Sequence, residues 1–206
     1  MRITEGRLRN IIRESLLKEA RYTPKTLIDK GLKITIRQNS REVYIDCGGP
    51  RGPKDAWGYL WIDTDVKRDK EKGGPCLNAW EVKVSEVSDS GMGPLLYDIA
   101  MELSGEHGLM PDRYEVSEEA RSLWDFYLKR RYDIEIRQLD NLADELTPGY
   151  EKDNCDQWTA LQDRSAPDWD ISSLSKVYRS KGTPTIEALD SARKIDWVNL
   201  PEKRNK

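Results

Sequence analysis

A change of period at one glycine-bearing turn constrains this chain more than any other feature. Upstream of it, four short segments alternate apolar and polar side chains: 32–37 (LKITIR), 42–47 (EVYIDC), 59–66 (YLWIDTDV) and 79–87 (AWEVKVSEV). Alternation rich in β-branched and aromatic residues marks strands that bury one face. On the fourth segment Trp80, Val82, Val84 and Glu86 fall on one side by that period. The links between segments include 48–53 (GGPRGP), a turn or loop by composition, and 67–75 (KRDKEKGGP), too charged to bury itself. Strands joined this way predict an antiparallel meander, because parallel neighbours need a long crossover.

Downstream of 88–93 (SDSGMG) the apolar positions shift to helical steps. Leu95, Leu96, Ile99, Ala100 and Leu103 line one face of a helix predicted over 94–105, with Pro94 where a first helical residue often stands. A second helix is predicted over 117–131: Ser117 can cap it, Glu118 and Glu119 suit its first turn, and Ala120, Leu123, Trp124, Tyr127 and Leu128 form its inner stripe. The stretch between them, 109–116, is too short for more than a small strand, and 134–139 adds another. The fold class read from this order is α+β, a mixed and mainly antiparallel central sheet flanked by helices.

The two ends read differently from the middle. Residues 4–19 form an amphipathic helix with Leu8, Ile11, Ile12 and Leu16 on one stripe, Thr4 as its N-cap and 22–25 as the linker behind it. It serves either as part of the core or as a detachable docking peptide. The region 147–170 is acidic and broken by Pro and Gly, an irregular excursion tied down by Trp158 and Trp169, and the end carries SLSKVYRSKG (173–182), a short helix over 185–194 and a polar terminus that frays. The expected organisation is therefore 1–24 helix and linker, 25–146 core, and 147–206 acidic segment and tail.

Composition excludes several functions. The single histidine, His107, cannot build a His-based metal site or a Ser/His/Asp triad, and helix termination suits it better than catalysis. Cys47, Cys76 and Cys155 are odd in number and far apart, so they read as reduced thiols rather than a disulfide framework. Acidic residues 153, 156, 163, 168 and 170 lack the spacing of a calcium loop. Residues 138–170 carry two basic and nine acidic side chains, whereas 1–30 and 171–206 each carry eight basic and four acidic. That segregation argues against a continuous nucleic-acid groove. With no apolar run near membrane-spanning length and no apolar region behind the first residues, the expectation is a soluble protein made in the cytosol, without a membrane partner.

The strongest chemical signal is Gly91-Met92-Gly93 at the strand-to-helix junction. A turn with little side-chain bulk exposes backbone N–H groups, and the helix behind it directs its positive dipole end at the occupant, so an anion such as a phosphate is expected there. Glu81 and Glu86 are candidate carboxylate bases on the fourth strand. Asp112 and Arg113 read as a local pair, with Arg113 within reach of a phosphate beside the turn.

The run EVKVSEVSDSGMGPLLYDIAMELSGEHGL resembles the core of the GCN5-related N-acetyltransferase fold, and MPDRYEVSEEARSLWDFYLKRR is similar to that family's short fifth strand and following helix. The likeness covers roughly residues 59–139. A looser one, carried by the opening MRITEGRLRNIIRESLL and by SLSKVYRSKGTPTIEAL, is to tailed-phage proteins of the same fold. The resemblance implies acetyl-CoA as cofactor, held by Val87, Ser88, Ser90, Gly91, Met92, Gly93 and Leu95, with Glu86 as base and Tyr127 as acid for acetyl transfer to an amine. It departs from the family at Ser88, where Arg or Gln is usual, and at Trp124, where a Tyr is expected. The alternative it implies is a non-catalytic phage accessory or virion-associated protein, in the host cytoplasm or the virion, that docks on phage structural proteins through 4–19.

Overall fold

The computed structural model describes residues 22–48, 57–64, 79–88, 91–112, 115–139 and 171–201. A short helix α1 (Pro24–Asp29) leads into four strands, β1 (Lys33–Gln38), β2 (Glu42–Gly48), β3 (Gly58–Asp63) and β4 (Trp80–Val87). Helix α2 (Met92–Ser104), strand β5 (Leu109–Met110), helix α3 (Glu118–Arg130) and strand β6 (Ile134–Gln138) follow. After a 3-10 turn at Ser173–Ser175 come β7 (Lys176–Ser180), helix α4 (Pro184–Ser191) and β8 (Ile195–Asn199). The described strands form one mixed sheet in the order β6-β7-β5-β4-β3-β2-β1-β8.

The meander over β1 to β4 is antiparallel throughout, as the alternation predicts. Its first turn is set by Asn39, whose side-chain oxygen accepts from the N–H groups of Arg41 and Glu42, both at 2.9 Å, and so fixes Gln38 opposite Val43. One face of the sheet carries Ile34, Ile36, Val43, Ile45, Leu60, Ile62 and Val82, all buried in a single cluster with Leu27 of α1, Leu95, Leu96 and Ile99 of α2, Trp124 of α3 and Leu189 of α4. Removing that apolar surface from water, at about 25 cal/mol per Å², is the main force holding the layers together. An aromatic knot closes the other end of the core: Trp124 lies 4.8 Å from Tyr178 and 5.1 Å, edge on, from Tyr97. A smaller cluster of Ala79, Met110, Leu139 and Val177 stands apart from it.

Helix α3 keeps its expected cap, Ser117 accepting from the Ala120 N–H at 3.2 Å, with Glu118 and Glu119 in the first turn and Lys129 and Arg130 in the last. Helix α2 begins two residues earlier than its period suggests, at Met92.

Three expectations are corrected. The C-terminal segment is not an appendage: β7 lies between β5 and β6, and β8 runs parallel to β1 at the sheet edge. Both are five-residue strands whose partners lie far away in sequence, and no local pattern reveals a pairing of that kind. Residues 22–25 are not a free linker, because Tyr22 is buried, its N–H donates to the Gly91 carbonyl at 3.0 Å, and Thr23 caps α1. The one-sided stripe on β4 is broken by a bulge, which sets Val82 opposite Ile62 but Val84 opposite Trp61, so Val84 and Glu86 turn to the face away from the core. The predicted helix over 4–19, the loop 67–75, the excursion 147–170, Ser90 and Arg113 lie outside the described residues.

Candidate functional site

The junction of β4 and α2 is built by three contacts. Ser88 closes the β3–β4 ladder: its N–H donates to the Trp57 carbonyl at 2.9 Å, its hydroxyl donates to the same oxygen at 3.0 Å, and its Oγ accepts from the Trp57 N–H at 2.8 Å. Tyr22 occupies the Gly91 carbonyl, as above. Met92 is seated on Gly58, where a Cβ would come within 2.6 Å of the Met92 sulfur and 2.8 Å of Leu96 Cδ1, so a side chain at 58 would displace both. Gly91 is the N-cap and supplies no side-chain hydrogen bond. The N–H groups of Met92 and Gly93 open the helix without an intrahelical acceptor, and no hydrogen bond reaches them among the described residues. Leu95 points into the core, and Pro94 contributes no N–H.

Beside this turn β4 and β5 separate. They pair in parallel only at Trp80–Leu109 and Glu81–Met110, after which Ser85, Glu86, Val87 and Ser88 are exposed. Because the Ser88 N–H points to β3, the alternation of an antiparallel ladder turns the backbone groups of Glu86 to β3 and those of Ser85 and Val87 to the opposite edge. No described strand pairs with that edge beyond Glu81. The unpaired stretch of the β4 edge and the start of α2, whose residues Gly91, Met92 and Gly93 are buried, thus lie side by side.

The side chains named for catalysis are less well placed. Glu86 is exposed opposite Tyr59 on the face away from α2. Glu81 is buried where β4 and β5 part, 2.8 Å from the Lys83 ammonium, which also lies 3.5 Å from Asp112. Tyr127 is fully buried, and its hydroxyl lies 3.0 Å from both the Pro94 carbonyl and an Asp98 carboxylate oxygen. Asp98 also binds Arg131 at 2.8 Å. This network fastens α3 to the first turn of α2 and leaves the Tyr127 proton directed at α2 rather than at the cleft. Trp124 is likewise core. Neighbouring Tyr97 is fully buried, and burial pushes its hydroxyl up to about 12.

A cavity of about 620 Å³ lies at the opposite end of the sheet, lined in part by Gln38, Trp80, His107 and Asn199. His107 is exposed and stacks on Trp80, ring centres 6.5 Å apart and planes 14° apart. Alternation gave no notice of this hollow; the signal lay in polar residues ending three otherwise apolar strand faces, at Gln38, Thr64 and Asn199. Among the described residues no group of three or more His, Cys, Asp or Glu could hold a metal ion, and no helix is long and apolar enough to cross a membrane. No protein-family model matches the chain, and comparison with curated proteins and with solved structures returns no significant match.

Proposed function

We propose that this protein binds an acyl-coenzyme A at the parting of β4 and β5, as a member of the GCN5-related N-acetyltransferase type. The observation that carries the reading is the open edge of β4 at Ser85 and Val87 beside the N–H groups of Met92 and Gly93. An extended chain of amides, such as a pantetheine arm, extends a sheet by hydrogen bonding to a free strand edge. The donors at the start of α2, with the helix dipole behind them, suit the adjoining diphosphate. The order of four antiparallel strands, glycine turn, helix, short parallel strand and helix supports the same reading.

The backbone groups fit this ligand better than the side chains do. Ser88 spends its donors on Trp57, so Met92 and Gly93 carry the anion contact, with Ser85 and Val87 holding the arm. Acetyl-CoA supplies an activated thioester, and an edge N–H from β4 polarises its carbonyl for attack by a neutral amine. Glu81, held by Lys83 at the base of the split, is the carboxylate nearest the strand divergence and accepts the amine proton directly or through water. A thiol of pKa about 8.5 leaves as thiolate without a protein acid, which frees Tyr127 for its structural contacts.

The engaged Tyr127 hydroxyl favours a second reading, ligand binding without turnover, in a phage accessory protein that docks on structural proteins through residues 4–19. Calorimetry with acetyl-CoA on the full chain and on Val87→Pro tests the binding site. The proline deletes one edge N–H while sparing the ladder to β3. Wild-type heat that weakens at least about tenfold in Val87→Pro, with an unchanged melt, supports the site. Equal affinity in both, or no heat at millimolar ligand, rejects it. Release of free thiol in the presence of amines then separates transfer from binding alone.

A further inference from the structure

The cavity at the far end of the sheet has a floor that can be read from strand register. Gln38 is opposite both Val43 and Asn199, so these three share a face with Ile36 and Ile62, the face that packs on the helices. Thr64, two residues beyond Ile62, and Trp80, two before Val82, continue that face across β3 and β4. The floor therefore crosses five adjacent strands, from β8 through β1, β2 and β3 to β4. Helix α2 ends at Ser104 and the chain turns back at Gly105, so the helix layer stops short of this row and leaves about 620 Å³ above it. Elsewhere on this face the strands carry mainly Ile, Val and Leu, with Cys47, Gly58, Ser85 and Trp197 as exceptions; here the row holds two carboxamides and a hydroxyl beside Val43 and Trp80.

The chemistry of the lining narrows the ligand. Trp80 and His107, stacked on each other, give a flat aromatic wall. The carboxamides of Gln38 and Asn199 are register partners at the carboxyl ends of the parallel pair β1–β8, and neither makes a hydrogen bond among the described residues. Each offers a donor and an acceptor side by side, the arrangement that pairs with the edge of a purine or pyrimidine. The described lining carries no carboxylate, which the many hydroxyl donors of a sugar favour, and no Lys or Arg to pair with a phosphate. A hollow of this volume holds a small molecule.

We propose that this cavity is a second binding site, distinct from the β4–β5 cleft, for a neutral nucleoside whose base stacks on the Trp80–His107 wall and is read by Gln38 and Asn199. The described lining reads the base and offers a phosphate no cationic side chain.

Titration calorimetry of the full chain with adenosine, guanosine, cytidine and uridine is the test, with AMP and maltose as contrasts. Submillimolar binding of at least one nucleoside is expected, weakened at least about fivefold by Asn199→Ala and by Gln38→Ala, with the matching nucleotide no tighter. Asn199 is exposed, so that variant keeps its fold, and its melting temperature confirms it. Absence of heat with all four nucleosides, equal affinity in both variants, tighter binding of AMP, or binding of maltose alone each overturns the proposal.

Discussion

Replacing Glu102 by Ala tests whether the C-terminal segment belongs to the core. Glu102 is a buried residue on α2 whose two carboxylate oxygens accept from the backbone N–H groups of Thr185 at 2.9 Å and Ile186 at 2.7 Å, in the first turn of α4. It thus caps a helix more than eighty positions away in sequence, and α4 in turn positions β8 against β1. The alanine leaves two donors without an acceptor, Thr185 buried and Ile186 half-buried. At about 1–3 kcal/mol for a buried unsatisfied group, the loss comes to about 3 kcal/mol, a fall in Tm of about 6–12 °C for a chain of this size. Glu102→Gln retains one acceptor and loses about half as much.

The pH dependence carries a sign. Burial pushes the Glu102 carboxyl above its ordinary value of 4.5, against the opposing pull of its bonds to Thr185 and Ile186. The folded chain then holds that proton more tightly than the unfolded chain. The stabilisation is complete below the ordinary value and is lost as pH rises through the raised one. Thermal melts of wild type and Glu102→Gln between about pH 4 and pH 7 therefore show wild type losing ground to the glutamine variant as pH rises. A fall of under about 2 °C for Glu102→Ala, or wild type gaining on glutamine with pH, refutes the reasoning.

Three further outcomes follow from particular contacts. Gly108 has φ of +74°, and a Cβ there would lie 2.5 Å from Val177 Cγ1 and 3.1 Å from the Tyr178 carbonyl, so Gly108→Ala should cost about 2–4 kcal/mol in urea unfolding; a native-like midpoint contradicts this. Tyr127→Phe removes the bridge to Pro94 and Asp98 and should cost about 1–2 kcal/mol while acetyl-CoA affinity stays within about twofold. Loss of acetyl transfer at unchanged stability would instead restore Tyr127 as the acid. Cys47 is buried, and burial pushes its thiol up to about 12, so peptide mapping after iodoacetamide should find it unmodified until the chain unfolds.

The parts of the fold legible in the sequence are those governed by near neighbours. Alternation located β1 to β4, the Ser117 cap fixed α3, and the switch of period placed α2, because each of these depends on residues a few positions apart. The lost parts depend on distant partners. Lys176–Ser180 becomes an interior strand, second from the edge, only because β5 and β6 flank it, and Ile195–Asn199 becomes an edge strand only beside β1. The β4 bulge inverts the facing of Glu86, since one extra residue shifts every later side chain by one face. At the site, the glycine turn was readable from Gly91 and Gly93 in their setting, whereas the unpaired edge of β4 depends on where β5 ends its pairing. The engagement of Ser88 by Trp57, of Gly91 by Tyr22 and of Tyr127 by Asp98 was not, because each joins elements that only tertiary packing brings together.

The most direct test of the β4–β5 cleft follows single amides by nitrogen–proton correlation spectroscopy during titration with acetyl-CoA. The account predicts that the resonances of Ser85, Val87, Met92 and Gly93 move together with saturation, while that of Glu86, already committed to the ladder with β3, holds its position. Four stationary amides in the presence of saturating ligand, or movement confined to Gln38 and Asn199, would contradict it.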